Sequence, residues 1–333
     1  MKSELHDIII IGAGPTGLAC ALHAESLGLR YLVMEKGTVA NTIVGYPTFM
    51  TFFSTPDLLE LGDMPFTSPN FRPSRIEAIQ YYRGVVRNRG LKILQGASVA
   101  GVQRRMGGGF VVQTSAGLFE SRFVVLATGY FDTTNRLNIP GEELPHVHHY
   151  YKEPFEFFGK QVVVVGGRNS AVETALDLYR HGASVTMVYR QGEIGRGVKY
   201  WIRPDIEHRL ANGQITMLWN SHLTQITPTE VTAQNNISGE TQTLPCDALF
   251  AMIGHRPDEG LFRACGIAYD LETLVPLFNP ATFESNVPGL YLAGSVVCGC
   301  RTWEVFIENG RNHAQVAIAH IAECLRESAT HGQ

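Results

Sequence analysis

Two short apolar runs, each closed by a glycine-rich loop and followed by helix-compatible residues, organise this chain. In the first, Ile8-Ile9-Ile10-Ile11 has no polar residue alternating with its apolar ones, which predicts a strand buried on both faces. Gly12-Ala13-Gly14-Pro15-Thr16-Gly17 follows as a loop, and Leu18 to Ala24 reads as a helix that ends at Gly28. Tyr31-Leu32-Val33-Met34 predicts a second strand, and Glu35 stands 23 residues after Gly12. The second run repeats the pattern: Val162 to Val165 as strand, Gly166-Gly167-Arg168-Asn169-Ser170-Ala171 as loop, Val172 to Arg180 as helix and Val185 to Val188 as strand. Gly182 follows Gly166 by 16 residues, just as Gly28 follows Gly12, so the two segments are copies of one βαβ unit.

The loops say what such units hold. In G-x-G-x-x-G the first glycine permits a tight turn, the second lets backbone approach a pyrophosphate, and the third lets helix and strand pack closely, with the helix N-terminus facing the anion. Gly12, Gly14 and Gly17 fill these places, with Pro15 and Thr16 between them, and Glu35 is near the spacing at which an acid meets ribose hydroxyls. Lys36, Asn41 and Tyr46 lie just beyond it and join the candidate cofactor contacts. In the second loop Arg168 replaces the middle glycine, so its Cβ should hinder the closest approach while its charge offsets that. The second strand of this copy ends in Tyr189-Arg190, with Arg196 and Lys199 following, where the first ends in Glu35. A carboxylate there repels a 2′-phosphate and Arg190 attracts one, which points to NADPH over NADH.

The remaining apolar segments give a discontinuous plan. Phe123 to Leu126 reads as a strand ending in the Thr128-Gly129 turn, and the polar, Pro-rich Thr133 to Pro145 reads as an outbound linker. Cys246 to Pro257 reads as the return strand, Leu290-Tyr291-Leu292 forms a last strand before Gly294, and Asn309 to Glu327 has the spacing of a closing helix. Glycines 107 to 109 make a hairpin turn. The expected fold class is α/β, with two three-layer Rossmann-like domains, the first from residues 1–132 and 248–333 and the second inserted as 133–247.

Composition narrows the function classes. The 333 residues are 44% hydrophobic and 17% charged, and no apolar run approaches the roughly 18 residues of a membrane span. The apolar start is only four residues long and enters Gly12 rather than a cleavage site, so no signal peptide is expected. A net charge of -4 offers no basic surface for nucleic acid. Six cysteines, with no C-x-x-C pair among them, suit a reducing, cytoplasmic setting.

In order, these features resemble the thioredoxin reductase type of two-dinucleotide flavoproteins, in which a Thr-Gly turn and a late Ala-Gly segment flank FAD. Within that group, Asn41 to Phe66, HYYKEP at 149 to 154 and VFIENGR at 305 to 311 resemble the YpdA family. That family is associated with NADPH-dependent reduction of bacillithiol disulfide, so the resemblance implies FAD in the first unit, NADPH in the second, a low-molecular-weight disulfide as acceptor, and a homodimer. Three departures stand out. His146 to Lys160 contains no cysteine, which excludes the thioredoxin reductase dithiol route; Ser295 rather than aspartate follows Gly294; and Thr16 occupies a place where some YpdA relatives carry cysteine.

By the same resemblance Arg301-Thr302-Trp303 begins the helix after Gly294, so that Thr302 and its neighbours present amides to reduced flavin. Cys298 and Cys300 are the candidate catalytic thiols, as a redox switch or as one attacking thiolate favoured by a helix N-terminus, against the plainer reading of small packing residues. Cys20 is expected in the core. His146, His148 and His149 cluster in the linker but carry no metal-ligand pattern, so no metal is expected. Phe49, Phe52, Phe53 and Phe66 read as core, with a flavin-covering wall as the alternative. Three rival functions remain: single-electron transfer to ferredoxin or flavodoxin; a flavin monooxygenase, whose linker motif Gly141, His146 and Tyr150 approach with Ile139 for Phe and one residue too many; and a redox sensor without turnover.

Overall fold

The computed structural model describes residues 5–330 as two units, one running through Thr133 and resuming at His255, the other spanning Thr134–Gly254. In the first, β1 (Leu5–Ile11) leads through the glycine loop into α1 (Pro15–Ser26) and β2 (Tyr31–Glu35). The short β3 (Ile93–Gln95) precedes a meander of β4 (Val99–Arg104), β5 (Phe110–Thr114) and β6 (Gly117–Leu126). β1 pairs in parallel with β2 and β6, with Ile9 opposite Leu32 on one side and Val124 on the other. The apolar run is therefore a central strand. Ile8 and Ile10 pack with α1 on one face and Ile9 and Ile11 with Val102, Phe110 and Phe262 on the other, which is why the run shows no alternation. Arg105 to Gly109 closes the β4–β5 hairpin, with positive φ at all three glycines.

The second unit builds its own sheet from β7 (Val147–His148), β8 (Gln161–Val165), β9 (Ser184–Val188), β10 (Thr216–Leu218) and, after the antiparallel β11 (Ser221–Ile226), β12 (Glu230–Asn235) and β13 (Thr241–Pro245), from β14 (Ala248–Ala251). The spatial order is β10-β9-β8-β14-β7. α2 (Asn169–Arg180) crosses from β8 to β9 and covers Val162 and Val164, while Val163 and Val165 face the three-stranded meander through Leu223, Val231 and Leu244. Both units are thus three layers deep.

One expectation needs correction here: residues from 248 onward do not yet return to the first unit. Ala248 pairs in parallel with Val162 and Ala251 with Val165, and all four residues of β14 are buried. Its pairing partner holds it in the second sheet, so the chain changes unit only past Gly254. It then forms β15 (Leu290–Leu292), parallel to β6, and α3 (Ile307–Thr330), which buries Ala314, Ala317, Ile318 and Ile321. No helix among the described residues is long and apolar enough to cross a membrane.

Candidate active site

The glycines of the first loop divide by what surrounds them. Gly12 has a φ of 108°, and a Cβ there would stand 2.6 Å from the Ala127 carbonyl oxygen. At Gly17 a Cβ would fall 1.9 Å from the Gly12 carbonyl oxygen, so α1 reaches the strand only without one. Gly14 has extended backbone as the N-cap of α1, and a Cβ there would meet nothing within 4 Å. Its open side lies at the helix N-terminus, where no acidic side chain occupies the first turn. That is a seat for a pyrophosphate, and the residues present fit one.

Other predicted residues gather at this loop. Glu35 is buried at the end of β2, its Oε2 accepting from Ala13 N at 2.8 Å and its Oε1 from Gly37 N at 2.8 Å. Gly37 sits against the side chain of Asn41, whose Oδ1 accepts from Thr38 N at 3.4 Å. Lys36 pairs with Asp132 at 2.9 Å, and Tyr46 is set edge-on to Phe131 at 4.9 Å, its hydroxyl pushed up to about 12 by burial. At Gly129, where φ is 69°, a Cβ would stand 3.4 Å from Ser295 Oγ, so the Thr128-Gly129 turn and the Gly294-Ser295 turn are neighbours. At Gly294 a Cβ would stand 2.7 Å from Thr16 Oγ1, which ties the late turn back to the first loop.

Three contributors carried no sequence signal as site residues. Gly294 N–H donates to His313 Nδ1 at 3.2 Å, and the His313 ring lies against Phe283 at 4.2 Å. Burial lowers the His313 pKa, which keeps Nδ1 free to accept. Gly310 of α3 approaches from the other side, where a Cβ would stand 3.2 Å from Gly294 Cα. Phe131 stacks on His255 at 4.4 Å. These contacts cross 16 or more residues of chain, beyond the reach of local pattern.

The segment after Gly294 departs from expectation. Gly294–Cys298 is a 3-10 helix, Gly299 ends it with a φ of 58°, and Arg301 to Glu304 form a turn. The helix begins only at Ile307, and in its first turn Asn309 Oδ1 reaches back to accept from Phe306 N at 2.7 Å. Thr302 is therefore not a helix start; its carbonyl accepts from Tyr130 OH at 3.3 Å. The cysteines change with it. Cys298 is buried among Ile9, Met34 and Val296, donates to the Ser295 carbonyl at 3.0 Å, and is pushed up to about 11 by burial. Cys300 is partly exposed, and burial raises it too, against the charge of Arg256. Neither thiol has the helix N-terminus that would favour a thiolate. Cys20 lies in the core as expected, pushed up to about 12.

In the second unit Gly166 has a φ of 133°, and a Cβ there would stand 2.5 Å from the Met252 carbonyl oxygen. A Cβ on Gly167 would stand 2.4 Å from the ring of Tyr189, which lies on the loop. Arg168 is exposed as the N-cap of α2, Ser170 is exposed and Ala171 buried. Asn169 clamps the following segment: its Nδ2 donates to Gly197 O at 3.0 Å and its Oδ1 accepts from Lys199 N at 2.8 Å, while Gly195 N donates to Gly167 O at 3.0 Å. Arg190 is exposed at the end of β9 and makes no ion pair among the described residues. Arg196 is 93% exposed and pairs with Glu193 at 3.4 Å. Lys199 is a correction: it is largely buried and holds Glu173 at 2.5 Å, so it is committed within the protein rather than offered to a phosphate.

The remaining motifs are structural. Phe52 and Phe66 are core, with Phe66 stacked on Tyr81 at 4.4 Å, whereas Phe49 and Phe53 are more than half exposed and depart from the core reading. His148 stacks on Phe250 at 5.0 Å, and His149 lies 2.9 Å from Arg136 beside Glu142, whose carboxylate accepts from Leu137 N and Asn138 N at 2.7 Å each. Those histidines brace the linker.

Known proteins share this sequence pattern and fold. The family model for pyridine nucleotide-disulphide oxidoreductases matches residues 9–294. The chain is 42% identical to the bacilliredoxin reductase Bdr of Bacillus subtilis (strain 168), over 95% of this chain and 97% of that one. The solved structure of the bacillithiol disulfide reductase Bdr (YpdA) from Bacillus cereus superposes with a TM-score of 0.93 at 39% identity, covering 96% and 99% of the two chains. That from Staphylococcus aureus gives 0.91 at 38% identity, covering 96% and 98%.

Proposed function

The chain belongs to the pyridine nucleotide-disulphide oxidoreductase family, in its Bdr (YpdA) branch, and we propose that it is an NADPH-dependent FAD flavoprotein that reduces a low-molecular-weight disulfide of the bacillithiol type. The observation that carries this reading is the convergence of Gly12, Gly14, Gly17, Glu35, Gly129 and Gly294 on one loop, with a second glycine loop free to hold another dinucleotide. Bound FAD supplies acceptance of hydride from the nicotinamide and delivery of two electrons to the disulfide. The protein's part is to hold and orient. The Gly12–Gly17 loop and the α1 N-terminus receive a pyrophosphate, Glu35 receives ribose hydroxyls, and the Gly129 and Gly294-Ser295 turns flank the flavin, with Ser295 offering a hydroxyl where aspartate is usual. His313 fixes the Gly294 turn. In the second unit the Gly166–Ala171 loop and α2 receive the NADPH pyrophosphate, Tyr189 lies beside it, and Arg190 and Arg196 receive the 2′-phosphate.

Thr16 rules out a relay cysteine in the first loop. If a thiol takes part, Cys300 is the one placed for it, since Cys298 is spent on the Ser295 carbonyl within the core. The protein acts in the cytoplasm as a homodimer, to be checked by light scattering of the holoprotein. The function is tested by NADPH oxidation with bacillithiol disulfide and, separately, with ferredoxin. Turnover with the disulfide and none with ferredoxin supports the assignment; the reverse assigns the chain to single-electron transfer.

A further inference from the structure

In the second unit the segment that carries Arg196 has no regular structure of its own, yet it is fastened to the glycine loop on either side of that arginine. Gly195 N donates to Gly167 O at 3.0 Å, and Asn169 Nδ2 donates to Gly197 O at 3.0 Å. Asn169 Oδ1 accepts from Lys199 N at 2.8 Å, so both polar atoms of one side chain, at the first residue of α2, are spent on this segment. Further along, Lys199 Nζ holds Glu173 of α2 at 2.5 Å, and Arg203 Nη2 donates to Gly195 O at 2.6 Å from the start of the helix Arg203–Ala211. Ile194 and Val198 anchor the segment from beneath, buried in one apolar cluster with Ala171 and Val172. The approach is close: a Cβ on Gly195 would stand 3.0 Å from Gly167 O and 3.3 Å from Arg168 Cγ. Arg196, between the two fastened glycines, stays 93% exposed.

This arrangement bears on nucleotide selectivity. The 5′-pyrophosphate and the 2′-phosphate of NADPH hang on one ribose, so the groups that receive them must be held at a matching separation. Arg196 meets Glu193 at 3.4 Å, an exposed pair of little energetic weight, so the place of the arginine is set by its backbone. A loose segment would have to be ordered each time the nucleotide binds, at an entropic cost that a segment ordered beforehand avoids. The Asn169 side chain does that ordering with neutral hydrogen bonds to two backbone groups, which leaves the charge of Arg196 for the ligand.

We propose that Asn169 is a positioning residue for NADPH selectivity: by bridging Gly197 O and Lys199 N it holds the Arg196 backbone where the 2′-phosphate is read while the glycine loop holds the pyrophosphate. This rests on the assignment of Arg196 to the 2′-phosphate made above and adds the side chain that sets its place. The test titrates FAD-loaded wild type, Asn169→Ala, Arg196→Ala and the double variant with NADP+ and with NAD+, and takes the ratio of the two dissociation constants as the preference. Each single variant should lower the preference by about tenfold. The double variant should lower it no further than Arg196→Ala alone, because Asn169 acts through Arg196. A preference that Arg196→Ala lowers and Asn169→Ala leaves alone overturns the proposal while the 2′-phosphate assignment stands; a preference that neither variant moves overturns both. Losses that add in the double variant also overturn it, since Asn169 would then act on the nucleotide by itself. Trypsin gives a second readout that needs no nucleotide. Cleavage after the exposed Arg196, followed by mass spectrometry, should quicken several-fold in Asn169→Ala, and an unchanged rate would contradict the clamp. Where Asn169→Ala does not retain FAD, Gly195→Ala takes its place in both measurements. Its methyl group pushes the segment off Gly167 O, so the same fall in preference is expected, and wild-type preference in Gly195→Ala overturns the proposal.

Discussion

Replacing Gly14 by alanine separates cofactor binding from folding. At Gly12 and Gly17 an added methyl group meets backbone at 2.6 and 1.9 Å, so alanine there must displace the loop or the helix. At Gly14 it meets nothing within 4 Å, and the extended backbone suits alanine as well as glycine. Alanine is a poorer N-cap than glycine but restrains the unfolded chain more, and these opposing effects leave FAD-free stability within about 1 kcal/mol of wild type. The methyl group occupies the space where the pyrophosphate closes on backbone N–H groups. Losing one such charge-assisted hydrogen bond costs about 1.5–3 kcal/mol, which weakens FAD binding roughly ten- to a hundredfold. The assay pairs thermal unfolding of the apoprotein with FAD titration by flavin fluorescence. An unchanged melting temperature with weakened FAD binding is expected. Wild-type FAD affinity in Gly14→Ala, or collapse of the apoprotein, would refute the assignment of this face to the pyrophosphate.

Arg190→Glu should lower kcat/KM for NADPH by about ten- to a hundredfold while leaving NADH use nearly as it was, and equal losses with both nucleotides would show that Arg190 does not read the 2′-phosphate. All six cysteines have raised pKa values, so iodoacetamide at neutral pH should modify Cys300 and Cys324 slowly and the four buried thiols hardly at all. A mass spectrum showing rapid alkylation of Cys298 would contradict its burial. His255 is lowered from 6.5 to about 4 by burial, opposed by Asp132. Below pH 6.5 the unfolded chain gains a proton that folded His255 refuses, so up to about 3 kcal/mol of stability is lost as the pH falls toward 4. Melting curves across that range should flatten in His255→Gln, and an unchanged slope would assign the loss elsewhere.

Both dinucleotide loops were legible in the sequence because their constraints are local. Gly12 and Gly166 need positive φ, and wholly apolar runs such as Ile8-Ile9-Ile10-Ile11 occur where a strand is covered on both faces. The return boundary was misplaced because β14, uniformly buried, carries no sign of which sheet it joins; only its pairing with β8 settles that. The helix expected at Arg301 gives way to a turn closed by Glu304 N on the Arg301 carbonyl, and the helix starts at Ile307. Lys199 looked like a phosphate ligand because its partner Glu173 lies 26 residues earlier, on another element. His313 acquires its role only once α3 folds back against the Gly294 turn.

The most direct test of the account follows the flavin itself under anaerobic conditions. Purified protein carrying FAD should lose its visible flavin absorbance on adding one equivalent of NADPH and regain it on adding bacillithiol disulfide, with the free thiol appearing in step. Protein that binds no FAD, or reduced flavin that ferredoxin reoxidises and the disulfide does not, would contradict it.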